Sequence, residues 1–382
     1  LVALALKTLH NDIGCSYHPN SWGERYHWYS TTGWMVWTLS VSTLMTGASM
    51  VLMDGDPNWP AMDGEWSQWA MLGTTGATYF ATGSAYLAAS AHAGIEPGKK
   101  WDLSKLREIQ CSGSPLAADV AVWVYDQVNP DLYLCPASGG TDICSGFLSG
   151  SSLAGVHAGE MVVPMLGVAL DSWSPEGTTV PIDEPGELVC TKPLPSMPLF
   201  FWGDTDSERY KASYFDVYPG VWRHGDWLIH TNRDTWIISG RSDATLNRGG
   251  VRLGTAEFYG VLDPLPGIAD SMVVHFEDPA GGMGQLVLLA VAKDGQDTDA
   301  LEKLIKTTIR TELSPRHVPD TIVWTPSVPR TSTGKRLEIP LKRVVQATRE
   351  GKIIDASVMD RGVLVRPDDV DGIVASVIAV LP

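Results

Sequence analysis

WMVWTLSVSTLMTGASMVLMDGDP, residues 34–57, holds two kinds of structure in one run. Apolar residues from Trp34 to Met45 read as a Trp-rich helix with Gly47 as its stop. Met50–Met53 then reads as a strand, closed by the turn Asp54-Gly55-Asp56-Pro57. A helix feeding a strand is an α/β signature, and the rhythm repeats. Helical patterns at 64–72, 85–93 and 117–128 alternate with strand-like Thr78–Phe80, 107–111 and Leu132–Leu134, which predicts a mostly parallel sheet. From about residue 159 the pattern changes to short strands broken by Pro and Gly, Glu187–Cys190, Trp227–His230 and Trp236–Ser239, a small β-rich subdomain. A boundary follows near 240–245. Beyond it a helix at 255–262, strands at 271–276 and 285–292, a charged helix at 299–312 and a strand at 321–324 make a compact α+β unit. The stretch 351–382 shows no packing partner in the pattern.

With 382 residues, 44% of them hydrophobic and 19% charged, the chain can bury more than one core. No apolar run approaches the roughly 18 residues of a membrane span, so a soluble protein without a membrane span is expected. Cysteines at 15, 111, 135, 144 and 190 form no Cys-x-x-Cys pair and have no His at metal spacing. That argues against a disulfide framework or a zinc site and for a reducing cytoplasm. The net charge of −16 argues against nucleic acid, which needs a basic face to displace condensed counterions. Residues 1–240 hold 11 Lys/Arg against 25 Asp/Glu, and residues 241–382 hold 17 against 19, so cations gather in the last third. Trp34/Trp37 and Trp66/Trp69 sit at helical spacing within apolar stretches. That spacing marks a core more than the exposed platform of a carbohydrate-binding module.

The chemistry-bearing residues fall in loops. Ser112-Gly113-Ser114-Pro115 follows the strand at 107–111, and nucleotides bind at the C-terminal ends of strands in open α/β sheets. Ser138-Gly139-Gly140-Thr141-Asp142 follows Leu132–Leu134. It combines backbone freed by glycine, a hydroxyl suited to a phosphate oxygen and a carboxylate suited to Mg²⁺. In Arg223-His224-Gly225-Asp226 the carboxylate offers two acceptor oxygens, enough for both hydroxyls of a ribose. The run from Gly240-Arg241-Ser242-Asp243 to Gly249-Gly250-Val251-Arg252 places three arginines within twelve residues at the expected boundary. Pro329-Arg330-Thr331-Ser332-Thr333-Gly334-Lys335 superficially resembles a Walker phosphate loop, but its first glycine is absent and Arg336 follows the lysine. Each loop alone also fits an ordinary turn.

In this order and spacing the loops resemble the adenylate-forming superfamily of acyl- and aryl-CoA synthetases, luciferases and peptide-synthetase adenylation domains. The resemblance runs from about residue 1 to 346. Trp28–Met35, Phe200–Asp204, Leu246–Arg252 and Leu313–Pro319 are further similar to its acetoacetyl-CoA synthetase branch. The resemblance implies an α/β fold: a large N-terminal domain, incomplete here, with a parallel sheet and a small β-barrel subdomain, followed by a small C-terminal α+β lid domain. The corresponding ranges are 1–243, 244–350 and a tail of uncertain structure at 351–382.

The implied reaction joins acetoacetate to coenzyme A at the expense of ATP, through an acyl-adenylate, releasing AMP and pyrophosphate. Ser112–Pro115 and Ser138–Gly140 would line the adenine and acyl site, Thr141 would meet the α-phosphate, and Asp142, where the family carries Glu, would help hold Mg²⁺. Asp226 and Arg241 would hold the ribose, and Asp243 would be the hinge. Arg252 would face phosphate, Gly250 would line the pantetheine tunnel, and Lys335 would steady the carboxylate and α-phosphate. Acetyl-CoA synthetases carry a bulky Trp where this chain has Ser138-Gly139-Gly140, so a longer acid is expected. The family's Ser/Thr/Gly-rich phosphate loop is absent and is expected upstream of Leu1. Another short-chain acyl-CoA synthetase, or an inactive nucleotide-binding fragment, is the rival reading.

Overall fold

The computed structural model describes residues 24–55, 57, 67–151, 153–242, 246–248, 251–277, 283–331, 334–352, 359 and 361–381. They form two compact units that divide between Ile238 and Ser239.

The first unit is built on a parallel sheet of β1 (Arg25–Trp28), β2 (Ser49–Met50), β3 (Tyr79–Gly83), β4 (Glu108–Ser112) and β5 (Tyr133–Pro136), in the order β2-β1-β3-β4-β5. Phe80, Ala81, Ile109 and Leu134 are buried, because a parallel sheet with helices on its faces leaves no wet side. One face packs on Trp69 and Leu72 of α2 (Ser67–Thr75), Leu87 of α3 (Ser84–His92), and Val120 and Val124 of α4 (Ala118–Gln127). The other carries Tyr26, Trp28, Tyr79 and Ala81 against Val36 and Leu39 of α1 (Met35–Thr43). Helix α1 passes into a 3₁₀ turn that ends at Gly47 in the left-handed region (φ 82°), as the sequence reading expects of this glycine. Trp69 is fully buried and its indole N–H donates to Ser90 Oγ at 3.0 Å, as a core residue must. Trp66 lies outside the described residues.

Two antiparallel sheets follow. One has the order β12-β11-β10-β9, from β9 (Leu170–Trp173), β10 (Pro185–Cys190), β11 (Trp222–His230) and β12 (Trp236–Arg241). The other is β6 (Ser138–Gly140), β7 (Ser145–Ser149) and β8 (Val163–Pro164). A bridge between Met161 and Trp236 joins their edges. Among the described residues no pairing joins the outer strands β6 and β9, so the strands form open sheets where a small barrel is expected. Closure demands a continuous staggered ladder, and β6, at the unpaired edge, is three residues long and two of them are glycine.

The second unit is α+β. Strands β15 (Ile268–Phe276) and β16 (Gln285–Ala292) are antiparallel, and β17 (Thr321–Trp324) runs parallel to β16. Their side chains alternate cleanly between two cores. Val273, Leu286 and Leu288 meet Phe258 and Leu262 of α6 (Thr255–Leu262) and Ile305 and Ile309 of α7 (Thr298–Glu312). Met272, Val274, Val287 and Leu289 meet Leu341, Val344 and Val345 of α8 (Glu338–Arg349) and Ile373, Val374 and Val377 of α9 (Val370–Val380). Thus part of the final stretch, which shows no partner in the sequence pattern, helps to cover this unit's second core. Before the sheet, β13 (Leu246–Arg248) and β14 (Val251–Leu253) form a hairpin. Among the described residues no helix is long and apolar enough to cross a membrane.

Candidate functional site

Strand β4 ends in Ser112, and Gly113 turns the chain at φ 92°, a conformation glycine adopts without strain. Ser84 Oγ holds the loop by donating to the Ser114 carbonyl at 2.8 Å. The neighbouring strand β5 leads directly into the second loop, whose Ala137 N–H donates to Cys111 O at 2.8 Å. Ser112–Pro115 and Ser138–Gly140 therefore lie side by side at the C-terminal end of the parallel sheet, where such sheets bind ligands. Burial pushes the Cys111 thiol up to about 12, so no thiolate nucleophile forms here.

The two glycines of the second loop are fixed by packing. A Cβ on Gly139 would stand 2.5 Å from Ser145 O on the paired strand β7. A Cβ on Gly140 would stand 2.8 Å from His224 Cε1. His224 packs edge-on against buried Phe147, with ring centroids 4.5 Å apart, and its Nε2 lies 3.7 Å from Asp226 Oδ2. The second and third loops are thus one assembly. Asp226 is buried on β11, and Gly225 before it (φ 87°) donates its N–H to Glu187 Oε1 at 3.0 Å. Arg223 pairs with the other oxygen of Glu187 at 3.1 Å.

Thr141 and Asp142 are exposed in the turn between β6 and β7, where Thr141 O accepts from Cys144 N–H at 3.0 Å. Tyr214, at the end of α5 (Glu208–Tyr214), donates its hydroxyl to Asp142 Oδ2 and stacks on Trp222 at 3.5 Å. Burial, and then the Asp142 charge, raises the Tyr210 phenol. No group of three His, Cys, Asp or Glu gathers as a metal site among the described residues. The exposed Asp142 carboxylate is an oxygen donor of the kind that Mg²⁺ takes.

In the second unit, Arg241 ends β12 and is partly exposed, and Lys335 is exposed on the loop between Arg330 and Arg336. Asp243 and Gly250 lie outside the described residues. Arg252 is placed on β14 by its backbone only. The contacts of Tyr214 with Asp142, of Glu187 with Gly225 and Arg223, and of His224 with Gly140 escape sequence reasoning because the partners are far apart along the chain. The contact of His224 with Asp226 is hinted at by their closeness in sequence.

Residues 260–335 match the AMP-binding enzyme C-terminal domain. The acetoacetyl-coenzyme A synthetase of Rhizobium meliloti (strain 1021) is 40% identical over 326 residues, covering 85% of this chain and 49% of that protein. The acetoacetyl-CoA synthetase of Gallus gallus is 36% identical over 345 residues, covering 90% and 50%. This chain is a homologue of the acetoacetyl-CoA synthetases. It spans about half the length of the curated relatives it matches. The solved acetoacetyl-CoA synthetase from Streptomyces lividans superposes with a TM-score of 0.83 at 42% identity, over 96% of this chain and 54% of that one. An anthranilate CoA ligase, AuaEII, matches at TM-score 0.71 and 19% identity over 90% of this chain and 62% of its own, a likeness of fold alone. The acetoacetyl-CoA synthetase likeness extends through both units and carries the adenylate-forming fold expected from the sequence.

Proposed function

We propose that this chain provides the acyl- and nucleotide-facing loops of an acid–CoA ligase acting on acetoacetate, ATP and coenzyme A. The observation that carries the reading is the packing of Gly139 and Gly140 against β7 and His224, with Asp226, Thr141 and Asp142 around them, in a homologue of acetoacetyl-CoA synthetases. In the first half-reaction an acetoacetate carboxylate oxygen bonds to the α-phosphorus of ATP, and the bond to the β-phosphate oxygen breaks to release pyrophosphate. In the second, the coenzyme A sulfur loses its proton, bonds to the acyl carbon and displaces AMP.

Such chemistry asks the protein for positioning and charge stabilisation. Ser112–Pro115 and Ser138–Gly140 line adenine and acyl group, Thr141 donates to the α-phosphate, and Asp226 with Arg241 holds the ribose hydroxyls. Lys335 faces the carboxylate and α-phosphate, Arg252 faces phosphate, Gly250 lines the pantetheine path, and Asp243 is the pivot. Mg²⁺ beside Asp142 would neutralise phosphate charge. The cytoplasm suits these substrates.

The test is acid-dependent ATP–pyrophosphate exchange in a chain extended to the length of its relatives. Acetoacetate should support exchange with a kcat/KM well above that of acetate, because no tryptophan fills the Ser138–Gly140 stretch. Comparable values for the two acids would remove the pocket reading.

A further inference from the structure

The Lys335 loop is held at both ends by one carboxylate. Arg330 and Arg336 flank it and pair as an antiparallel bridge. Within it, Thr331 N–H donates to Lys335 O at 2.9 Å, Gly334 N–H to Thr331 O at 2.8 Å, and Lys335 N–H to Thr331 Oγ1 at 3.1 Å. Asp270, on β15, receives Arg330 as a fork, Nε to Oδ2 at 2.7 Å and Nη2 to Oδ1 at 2.6 Å. Arg336 Nη2 approaches the same Oδ1 at 3.4 Å. The register of β15 against β16 shifts between Ile268 and Asp270, the kind of irregularity that re-aims a side chain.

The surroundings leave little freedom. Arg330 Nη1 also donates to Gly334 O, so the guanidinium spans the loop from its base to the residue before the lysine. Arg336 donates through Nε to Ser271 O at 2.7 Å and through Nη2 to Asp263 at 2.6 Å, and its guanidinium lies 3.8 Å from the centre of the Tyr259 ring. Tyr259 in turn donates to Glu338 Oε1 at 2.7 Å. Val365 N–H adds a bond to Arg330 O at 3.1 Å. Bidentate charge-assisted pairs fix geometry as well as adding energy, and Asp270 is the one carboxylate that both flanking arginines share in these contacts.

We propose that Asp270 is a positioning residue for Lys335: by clasping Arg330 and Arg336 it sets the reach of the lysine in adenylation. This rests on the reading of Lys335 given under the proposed function. A misplacement of about 1 Å far from the bond-making atoms can cost on the order of 10²-fold in rate, so loosening the clasp should be visible kinetically.

The variants are Asp270→Asn, Arg330→Gln, Lys335→Ala and the Asp270→Asn/Lys335→Ala double. Hydrogen exchange across 329–337 in the 382-residue chain reads the loop. Pyrophosphate exchange, and thioester formation from supplied acyl-adenylate, are read separately in a chain extended to the length of its relatives. Asp270→Asn and Arg330→Gln should each speed exchange of the Gly334 and Lys335 amides. Each should slow pyrophosphate exchange roughly 10–100-fold and leave thioester formation nearly unchanged. The double variant should be no slower than Lys335→Ala alone, because Asp270 acts through the lysine.

If Lys335→Ala slows pyrophosphate exchange and Asp270→Asn does not, the clasp has no positioning role and the lysine reading stands. An Asp270→Asn loss that multiplies on the Lys335→Ala loss overturns the proposal too. If Lys335→Ala leaves exchange intact, the lysine reading falls and the positioning role with it. Loss of the second unit's thermal transition in both Asp270→Asn and Arg330→Gln would make the pair a structural one and end the proposal.

Discussion

Gly139 and Gly140 show how far a residue type can be read without its neighbours. From sequence they are small residues that free backbone and leave room for an acid. In the fold their absence of a side chain is imposed from outside, by Ser145 O behind Gly139 and by the His224 ring beside Gly140. Both accounts require glycine, but only the structure says what an added methyl would strike. Gly139→Ala should force β6 away from β7, and overpacking of this kind costs about 1–3 kcal/mol. Urea unfolding followed by a probe in the first unit measures it. A loss under about 0.5 kcal/mol, the usual limit of an inconsequential surface change, would mean that the hairpin gives way freely. Gly140→Ala meets a side chain of the candidate site and not backbone, so its expected signature is a change in acid preference more than in stability.

At the scale of elements, the strongly patterned segments were legible and the long-range pairings were not. Helix α7 runs from Thr298 to Glu312 with Leu301, Ile305 and Ile309 on its buried stripe, the spacing that marks a helix from sequence. Strand β17 falls at Thr321–Trp324 as read. Strand β1, Arg25–Trp28, is only four residues long, too short for its polar–apolar alternation to stand out, and Val370–Val380 is rich in β-branched residues that speak weakly for a helix. Tertiary packing decides both.

The strings Leu246–Arg252 and Leu313–Pro319 stand out in the sequence as separate oddities, yet they are one structural unit. Arg248 donates from Nη1 to Val318 O at 2.7 Å and to Arg316 O at 3.2 Å, and pairs through Nη2 with Asp320. The other oxygen of Asp320 receives Leu286 N–H at 2.7 Å, which ties the hairpin to β16. Arg248 is buried but Asp320 is exposed, so removing the guanidinium strands the Arg316 and Val318 carbonyls more than a charge, at about 1–3 kcal/mol. Arg248→Ala should therefore lower the stability of the second unit by that amount. Arg248→Lys should recover part of it, since lysine keeps the charge without the fork. Calorimetry of both variants settles the order; equal loss for Lys and Ala would show that geometry, not charge, holds the hairpin.

At the scale of the molecule, two units with separate cores should melt as two events, and a perturbation placed in one core should leave the other's transition in place. Ile373 is buried against Val344 and Val374 in the second core, and Ile→Ala at such a site costs about 2–5 kcal/mol. In the first unit, burial lowers the pKa of His27 below its ordinary 6.5, opposed by its hydrogen bonds to Val51 O (2.8 Å) and Gln68 (3.2 Å). Its folded state therefore favours the neutral ring. Above pH 6.5 the ring is neutral folded and unfolded alike and contributes no slope. Below it the unfolded chain takes up a proton that the folded unit resists, so stability falls as pH drops. Calorimetric scans from pH 7.5 to 5.5 should show one transition moving down with acid through His27, with the slope reduced in His27→Gln. Ile373→Ala should shift the other transition alone. A single transition that responds to both changes would mean that the cores on either side of Ile238 and Ser239 unfold as one, and the assignment of each stability effect to its own unit would fail.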